Sequence, residues 1–266
     1  MEILGYLASI FIGISLGLIG GGGSILTVPV LVYLFAIDAV AATAYSLFIV
    51  GVSSAVGSYS YIKKGWVNIK TALAFGIPSI ISVFLTRTYI VTSIPEKIFS
   101  IGRFDVTKNI LLMLLFAILM VFASYSMIKK CKDCDEETPK EIKAFKYSAI
   151  LFQGLLVGGI TGLIGAGGGF LIIPALVISL KLPMKTAVGT SLLIIAANSL
   201  FGFLFSVAHT EIHWQFLLTI TLIAIVGIFI GTMLSKKIDG AKLKPAFGWL
   251  VLIMGIYIII KETILK

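Results

Sequence analysis

The sequence has few charged residues. Asp, Glu, Lys and Arg make up 12% of its 266 residues, whereas 59% are hydrophobic and the mean hydropathy is +1.10. Soluble domains carry about 25% charged residues, so this composition excludes a soluble protein. Apolar stretches of roughly 17 to 25 residues, enough to cross ~30 Å of hydrocarbon as helices, fill nearly the whole chain. Because lipid requires internally paired backbones and the stretches are too continuous for barrel strands, the sequence predicts an all-α, multi-pass protein of the cell membrane.

The sequence also has little of what metal and redox chemistry need. Its two cysteines, Cys131 and Cys134, form one CxxC motif, and a structural zinc site needs a second pair of ligands. His209, Glu211 and His213 lie together but lack the HExxH spacing, so a polar turn is the preferred interpretation. Paired intramembrane carboxylates and a Ser–His arrangement are missing as well. We therefore expect no enzyme, no metal and no cofactor.

Nucleotide and nucleic-acid binding are excluded by two further absences. Neither glycine run, residues 20–23 or 165–169, is followed by the Lys-Ser or Lys-Thr of a phosphate-binding loop. The GxGxxG spacing is missing too, because Ile25 and Phe170 occupy the positions that would need glycine. The net charge is +9, but the lysines form short clusters between apolar stretches, which indicates membrane topology and not a nucleic-acid partner.

What the sequence does have is an internal repeat. Residues 17–32 return as residues 162–177 at a constant offset of 145 residues, and 10 of the 16 positions are identical. The correspondence continues beyond the glycines, where Ser46 stands opposite Ser191. Self-similarity on this scale indicates two structurally equivalent halves, a plan common among secondary transporters.

The two halves are residues 1–128 and 147–266, joined by the charged residues 129–146, which we expect to form a cytoplasmic linker. Five apolar segments in each half predict about 8–10 membrane segments, including a short or broken helix after each glycine run. An odd number of segments per half favours inverted repeats, although the basic clusters fall on both sides. Residues 95–108 are expected to form a loop and residues 236–244 a basic turn.

The glycine runs should interrupt the helices. Each helical glycine costs ~1 kcal/mol relative to alanine, so the four consecutive glycines of residues 20–23 should end a helix. A new helix then begins near Ser24 or Gly169, and its first N–H groups, with the positive end of the helix dipole, suit a closely approaching anion. The alternative, tight packing of helices, is preferred for the glycines spaced four residues apart, Gly13, Gly17, Gly158 and Gly162.

A glycine-rich GLxGxGGG segment that ends at a proline, repeated in both halves of a small apolar protein, resembles the sulfite exporter TauE/SafE family. Residues 162–174 with residues 187–192 are its most characteristic part, and the resemblance covers essentially the whole chain. It implies a membrane permease for small sulfur-containing anions such as sulfite, thiosulfate or organosulfonates. The first copy departs mildly from the second, with Tyr45 in place of Thr190, which questions equal roles for the two halves.

Other polar residues are candidates for contact with the anion. The matched pair Ser46 and Ser191 offers neutral donors that replace hydration without trapping an anion, unless they bond to carbonyls of their own helix. Arg87 lies inside an apolar stretch, where a cation is costly unless it faces a cavity, a partner or an anion, or extends to the membrane surface. Hydroxyl and amide side chains lie near the serine pair in the sequence: Thr43, Ser53, Ser54, Thr190, Asn198 and Ser199.

The sequence therefore predicts a secondary transporter of a small sulfur-containing anion, held between the two glycine-rich breaks. Its partners would be this anion, the lipid bilayer and a coupling ion, H⁺ or Na⁺. Two alternatives stay open: a membrane scaffold that transports nothing, and a transporter of another small anion. The candidate binding residues are Gly20, Gly21, Gly22, Gly23, Ser24, Ser46, Arg87, Gly165, Gly167, Gly168, Gly169, Thr190, Ser191 and Asn198, with Pro29 and Pro174 as helix breaks.

Overall fold

The computed structural model describes residues 2–19, 21, 23–101, 104–128, 147–165, 167–180, 182–207, 212–234 and 240–263. Nearly all of these residues are helical, which confirms the all-α class. Within the described part, five helices are long and apolar enough to cross a membrane, and three shorter apolar helices accompany them. The protein is therefore a multi-pass membrane protein. Several predictions fall on residues outside the described ranges, namely the linker 129–146 with Cys131 and Cys134, and Gly20, Gly22, His209 and Glu211.

The helices follow the two halves of the sequence. The first half contains α1 (Glu2–Ile19), α2 (Ser24–Tyr33), α3 (Ala39–Lys63), α4 (Ile69–Leu85) and α5 (Lys108–Ile128). The second contains α6 (Tyr147–Ile164), α7 (Gly169–Pro174), α8 (Met184–Val207), α9 (Trp214–Leu234) and α10 (Gly240–Thr263). Two π-helical segments, Thr86–Val91 and Ala175–Ser179, extend α4 and α7.

Two connections differ from the sequence prediction. Residues 95–108, expected to be an irregular loop, contain an antiparallel hairpin of β1 (Lys97–Ile101) and β2 (Phe104–Thr107). In the register of the two strands, Ile101 pairs with Phe104 and Ser100 with Asp105. Residues 240–244 of the expected basic turn belong to α10, which begins at Gly240, and residues 236–239 lie outside the described ranges.

Pro29 does not break a helix, contrary to the sequence prediction. It lies inside α2, which continues to Tyr33, and residues 24–31 are all buried. An interior proline costs about 3 kcal/mol, and the packing of this buried segment offsets that cost. Pro174 behaves closer to expectation, since α7 ends there and the backbone continues as a π-helical segment.

Helices from different halves pack against each other. α1 packs against α9 and α4 packs against α6, while α3 packs on α8 and α5 on α10. The 145-residue offset relates α1 to α6 and α4 to α9, so the first two contacts are equivalent with the halves exchanged. The offset also relates α3 to α8, the partners of the third contact, but it does not extend to α5 and α10.

The equivalent helices α3 and α8 cross in opposite directions. Gly51, in the middle of α3, contacts Leu200, in the C-terminal part of α8, whereas Gly189, near the start of α8, contacts Tyr61, near the end of α3. Equivalent helices that run in opposite directions are a requirement of inverted repeats.

The glycines spaced four residues apart lie at helix contacts, as the sequence predicts. A Cβ on Gly13 would lie 2.1 Å from the carbonyl oxygen of Ala224, and one on Gly158 would lie 2.3 Å from that of Ser79. Real Cβ atoms do not approach so closely, so only glycine permits these backbones to touch. Small residues serve this purpose in membranes because lipid tails are as apolar as the helices themselves.

The apolar core and the outer surface have similar chemistry. Leu16, Ile25 and Phe116 are fully buried members of one continuous cluster formed by the central helices. On the outside, Phe122 is 70% exposed and Leu222 is 63% exposed. Exposed large apolar side chains on helices long enough to span a membrane are suited to contact with lipid. The two glycine-rich breaks and Arg87 therefore lie inside a shell of helices that faces hydrocarbon.

Candidate anion-binding site

The two glycine-rich breaks contact each other inside the protein. A Cβ on Gly21 would lie 2.5 Å from the carbonyl oxygen of Gly169, and a Cβ on Gly169 would lie 2.5 Å from the Cα of Gly21. Both residues are buried. No side chain larger than hydrogen fits at either position, so the backbones of the two halves approach as closely as glycine permits.

The backbone of the second break is left-handed at three glycines. Gly165, Gly167 and Gly168 have φ angles of 72°, 65° and 73°, a region that other residues rarely adopt. Gly23, the equivalent of Gly168 in the first half, is right-handed with φ −64°. At this matched position the two breaks therefore differ in backbone geometry.

Hydrogen bonds within the breaks use part of the predicted donors. Ser24 Oγ donates to the carbonyl oxygen of Gly21 at 2.7 Å, and the N–H of Leu171 donates to the carbonyl oxygen of Gly168 at 2.9 Å. The Ser24 hydroxyl and the Leu171 amide are thus already occupied. In this state the breaks offer fewer free hydrogen-bond donors to an anion than the sequence predicts.

Arg87 lies beside the second break. It belongs to the π-helical segment after α4, is 5% exposed, and donates from Nη1 to Thr43 Oγ1 at 3.2 Å. A Cβ on Gly165 would lie 2.6 Å from Arg87 Nη2. Within the described part of the chain, Nε and Nη2 of Arg87 have no hydrogen-bond partner. Each buried donor left unpaired costs about 1–3 kcal/mol, and more when the group is charged, so this guanidinium is prepared for an acceptor.

A second cation lies on the same side of the protein. Lys108, at the start of α5, donates from Nζ to the carbonyl oxygen of Val91, which is four residues after Arg87. The charges of Lys108 and Arg87 repel each other. Asp38, the nearby carboxylate, instead caps α3 by accepting the N–H of Val40 at 2.9 Å. Lys108 also interacts with the carboxylates of Glu96 and Asp38, so the charges on this side of the protein are of both signs.

The matched serines on α3 and α8 behave differently. Ser46 and Ser191 are both fully buried. Ser191 Oγ donates to the carbonyl oxygen of Val188 in its own helix at 2.8 Å, which is the alternative to anion binding considered for this pair. Ser46 Oγ has no partner among the described residues. Thr190 Oγ1 accepts the N–H of Asn68 at 3.0 Å and so joins two helices. Of these three candidates, Ser46 is the one whose hydroxyl has no partner among the described residues.

Asn198 and Ser199 complete the polar part of α8. Asn198 Nδ2 donates to Ser79 Oγ at 2.6 Å, while Asn198 Oδ1 has no partner within the described chain. Ser199 Oγ lacks a partner there as well, and a Cβ on Gly167 would lie 2.6 Å from it. From the sequence, Thr43 and Ser199 are only polar neighbours of the serine pair, outside the final set of candidate binding residues, although Ser199 matches Ser54 in the repeat.

The site is closed in this structure. Arg87, Gly21 and Gly169 are all buried. One surface groove is lined by Tyr89 and its neighbours and another by Gly65 and its neighbours, and neither is lined by these three residues. In this conformation the described residues around Arg87 therefore shield it from the surface.

Comparison with known proteins identifies the family. The family model described as sulfite exporter TauE/SafE matches residues 5–258. A probable membrane transporter protein of Xylella fastidiosa (strain Temecula1) is 29% identical over 251 residues, which cover 93% of this chain and 91% of the relative. The probable membrane transporter protein YunE of Bacillus subtilis (strain 168) is 26% identical over 262 residues, with 91% of each chain covered. No solved structure matches the chain significantly.

The family match spans nearly the whole chain and includes both glycine-rich breaks. The names of the relatives indicate membrane transport and not catalysis. Together with the membrane-spanning helices, these matches confirm the resemblance seen in the sequence. The chain belongs to the sulfite exporter TauE/SafE family and is a membrane transporter.

Proposed function

We propose that this transporter carries small sulfur-containing anions such as sulfite, thiosulfate or organosulfonates, and that the anion binds where the two glycine-rich breaks meet. The observation that carries the proposal is Arg87, a buried guanidinium with two unpaired nitrogen donors beside Gly165. A cation inside a membrane protein is costly unless it serves a ligand, a partner or a water-filled path. The description of the family as sulfite exporters supports sulfur-containing anions as the cargo.

Neutral polar atoms on α3 and α8 support the same proposal. Within the described chain, the hydroxyls of Ser46, Ser54 and Ser199 have no hydrogen-bond partner. Hydroxyl groups replace the hydration of an anion without adding a fixed charge that would hold it too tightly. One arginine with neutral hydroxyls would bind an anion firmly enough to select it and weakly enough to release it.

The proposed movement uses the two halves, residues 1–128 and 147–266, as inverted repeats. The opposite directions of the equivalent helices α3 and α8 support this orientation. Inverted repeats exchange conformations around a site near their interface, which exposes the site first to one side and then to the other. The membrane potential, H⁺ or Na⁺ would drive the exchange.

Uptake into proteoliposomes tests the proposal. Wild-type protein should take up labelled sulfite or thiosulfate, and Arg87→Gln should lower this uptake at least about tenfold, since a hydrogen bond to a charged group contributes ~1.5–3 kcal/mol. Lys70→Gln is the matched control, because Lys70 is an exposed cation at the start of α4. Its uptake should stay within about twofold of wild type.

Two outcomes would contradict the proposal in different ways. Wild-type protein that takes up none of the sulfur-containing anions would refute the substrate class, and uptake of another small anion or of nothing would then favour the corresponding alternative. Folded Arg87→Gln protein with wild-type uptake would refute the binding site.

A further inference from the structure

Arg87 keeps one particular edge of its guanidinium free. Nη1 donates to Thr43 Oγ1 at 3.2 Å, whereas Nε and Nη2 have no partner within the described chain. In a guanidinium group, the N–H of Nε and one N–H of Nη2 point in the same direction. The two free nitrogens therefore form the fork that matches two oxygens carried by one atom.

We propose that Arg87 binds the transported anion side-on, with Nε and Nη2 each donating to a different oxygen of the same sulfur centre. This contact selects anions with two oxygens on one atom over single-atom anions such as chloride. The inference rests on the proposed function for the arrival of an anion at Arg87, and it adds the binding geometry and the class of anion selected.

Thr43 and Gly165 position the fork. The Thr43 hydroxyl donates to the carbonyl oxygen of Val40 at 2.7 Å, which leaves its oxygen lone pair for Arg87 Nη1. A Cβ on Gly165 would lie 2.4 Å from Thr43 Cβ and 2.6 Å from Arg87 Nη2. The guanidinium is thus held between α3 and the second break, and only a glycine with its left-handed backbone fits on that side.

The fork has no equivalent in the second half. The 145-residue offset relates Arg87 to Thr232, whose hydroxyl donates to the carbonyl oxygen of Phe229 in its own helix at 2.9 Å. A neutral side chain bonded within its own helix does not form a second anion site at the equivalent position. The asymmetry therefore predicts one bound anion per chain.

Replacement of Arg87 by lysine tests the inference, because lysine keeps the charge and removes the fork. Unlabelled sulfite, methanesulfonate, acetate and chloride compete with labelled sulfite for uptake into proteoliposomes. In Arg87→Lys, the inhibition constants of sulfite, methanesulfonate and acetate, which carry at least two oxygens on one atom, should rise at least about tenfold, while that of chloride changes less than about twofold. Arg103→Lys, at the only other arginine of the sequence, is the matched control and should behave like wild type.

Several results would overturn side-on binding. These are wild-type protein inhibited equally by acetate and chloride, folded Arg87→Lys protein with unchanged inhibition constants, and Arg87→Lys protein that loses both classes of anion equally. The comparison of acetate with chloride as inhibitors of wild-type protein tests side-on binding even if Arg87→Lys protein does not fold.

A failure of the proposed function is recognised separately. Wild-type protein that takes up no sulfur-containing anion refutes that function, and the side-on contact is then judged by thermal stabilisation, because a bound ligand raises the melting temperature. Methanesulfonate or acetate should stabilise wild-type protein more than chloride at equal ionic strength, and the difference should vanish in Arg87→Lys. Equal stabilisation by all three anions would overturn the inference.

Discussion

The N–H of Asn68 donates a hydrogen bond of 3.0 Å to Thr190 Oγ1 and so joins the start of α4 to α8 of the other half. The same bond exists with the halves exchanged, since the N–H of His213 donates to the Tyr45 hydroxyl at 2.8 Å. The 145-residue offset relates Asn68 to His213 and Tyr45 to Thr190. Tyr45 and Thr190 differ in size, yet each accepts one N–H from the opposite half.

This relationship predicts a structural role for Thr190, which the sequence analysis assigned to the substrate. Thr190→Val should lower the free energy of unfolding by about 0.5–1.5 kcal/mol, or more if the Asn68 N–H is left without water. The KM for the transported anion should change less than about twofold, because the bond from Asn68 places this hydroxyl at the junction of α4 and α8 and not on the anion. Thermal unfolding in detergent and uptake kinetics measure the two quantities.

Thr219→Val is the matched control for this substitution. Thr219 lies on the exposed face of α9, and its hydroxyl donates to the carbonyl oxygen of Gln215 in the same helix. Its melting temperature should stay close to that of wild type. A large rise of KM in Thr190→Val without loss of stability would return Thr190 to the binding site.

Gly165→Ala should nearly abolish uptake. The added Cβ would lie 2.4 Å from Thr43 Cβ and 2.6 Å from Arg87 Nη2, at a φ of 72° that itself costs an alanine roughly 1–2 kcal/mol. We expect uptake to fall more than about tenfold as the Arg87 side chain is displaced. Uptake is measured per folded transporter, with folding checked by size-exclusion chromatography.

Gly76→Ala is the control that separates this effect from glycine replacement in general. Gly76 is buried in α4, and a Cβ there would meet no atom within 4 Å. Alanine should stabilise the helix by up to about 1 kcal/mol and leave uptake unchanged. Gly165→Ala protein with wild-type uptake would show that the second break does not position Arg87.

Asp38→Ala should destabilise the start of α3. The carboxylate caps the helix by accepting the N–H of Val40 at 2.9 Å, and it also accepts a hydrogen bond from Asn109 Nδ2 of α5. Loss of an N-cap costs about 0.5–2 kcal/mol. The melting temperature should fall in Asp38→Ala and be largely retained in Asp38→Asn, whose side-chain oxygen still caps. Equal melting temperatures for Asp38→Ala and wild type would contradict this role.

Much of the fold was predictable from hydropathy. Residues 148–164 and 214–234 are continuous apolar stretches of the sequence, and the structure has α6 at Tyr147–Ile164 and α9 at Trp214–Leu234. The agreement has a simple cause, because lipid forces every backbone polar group to pair within its own helix and a long apolar stretch has no alternative. Pro29 and the hairpin before α5 depend on tertiary packing and turn geometry, and these were predicted wrongly or missed.

The candidate site was predictable only in its parts. Arg87 is conspicuous as a cation in an apolar stretch, and the glycine runs are conspicuous by their repetition. Nothing in the spacing indicates that Arg87 of the first half contacts Gly165 of the second, or that Thr43 rather than Thr190 bonds to the guanidinium. Threonines at similar depth look alike in sequence, and contacts between halves depend on how the helices cross.

The sequence by itself determined the membrane class, the repeat, most helix bounds and the family, since each follows from local hydropathy or from residue identity along the chain. Only the tertiary structure decided which donors are free. The two breaks meet at Gly21 and Gly169, the Ser24 and Ser191 hydroxyls are used by the protein, and Arg87 keeps an unpaired edge. The reason is physical: a polar group is available to a ligand only when no neighbour in space satisfies it, and the folded structure sets those neighbours.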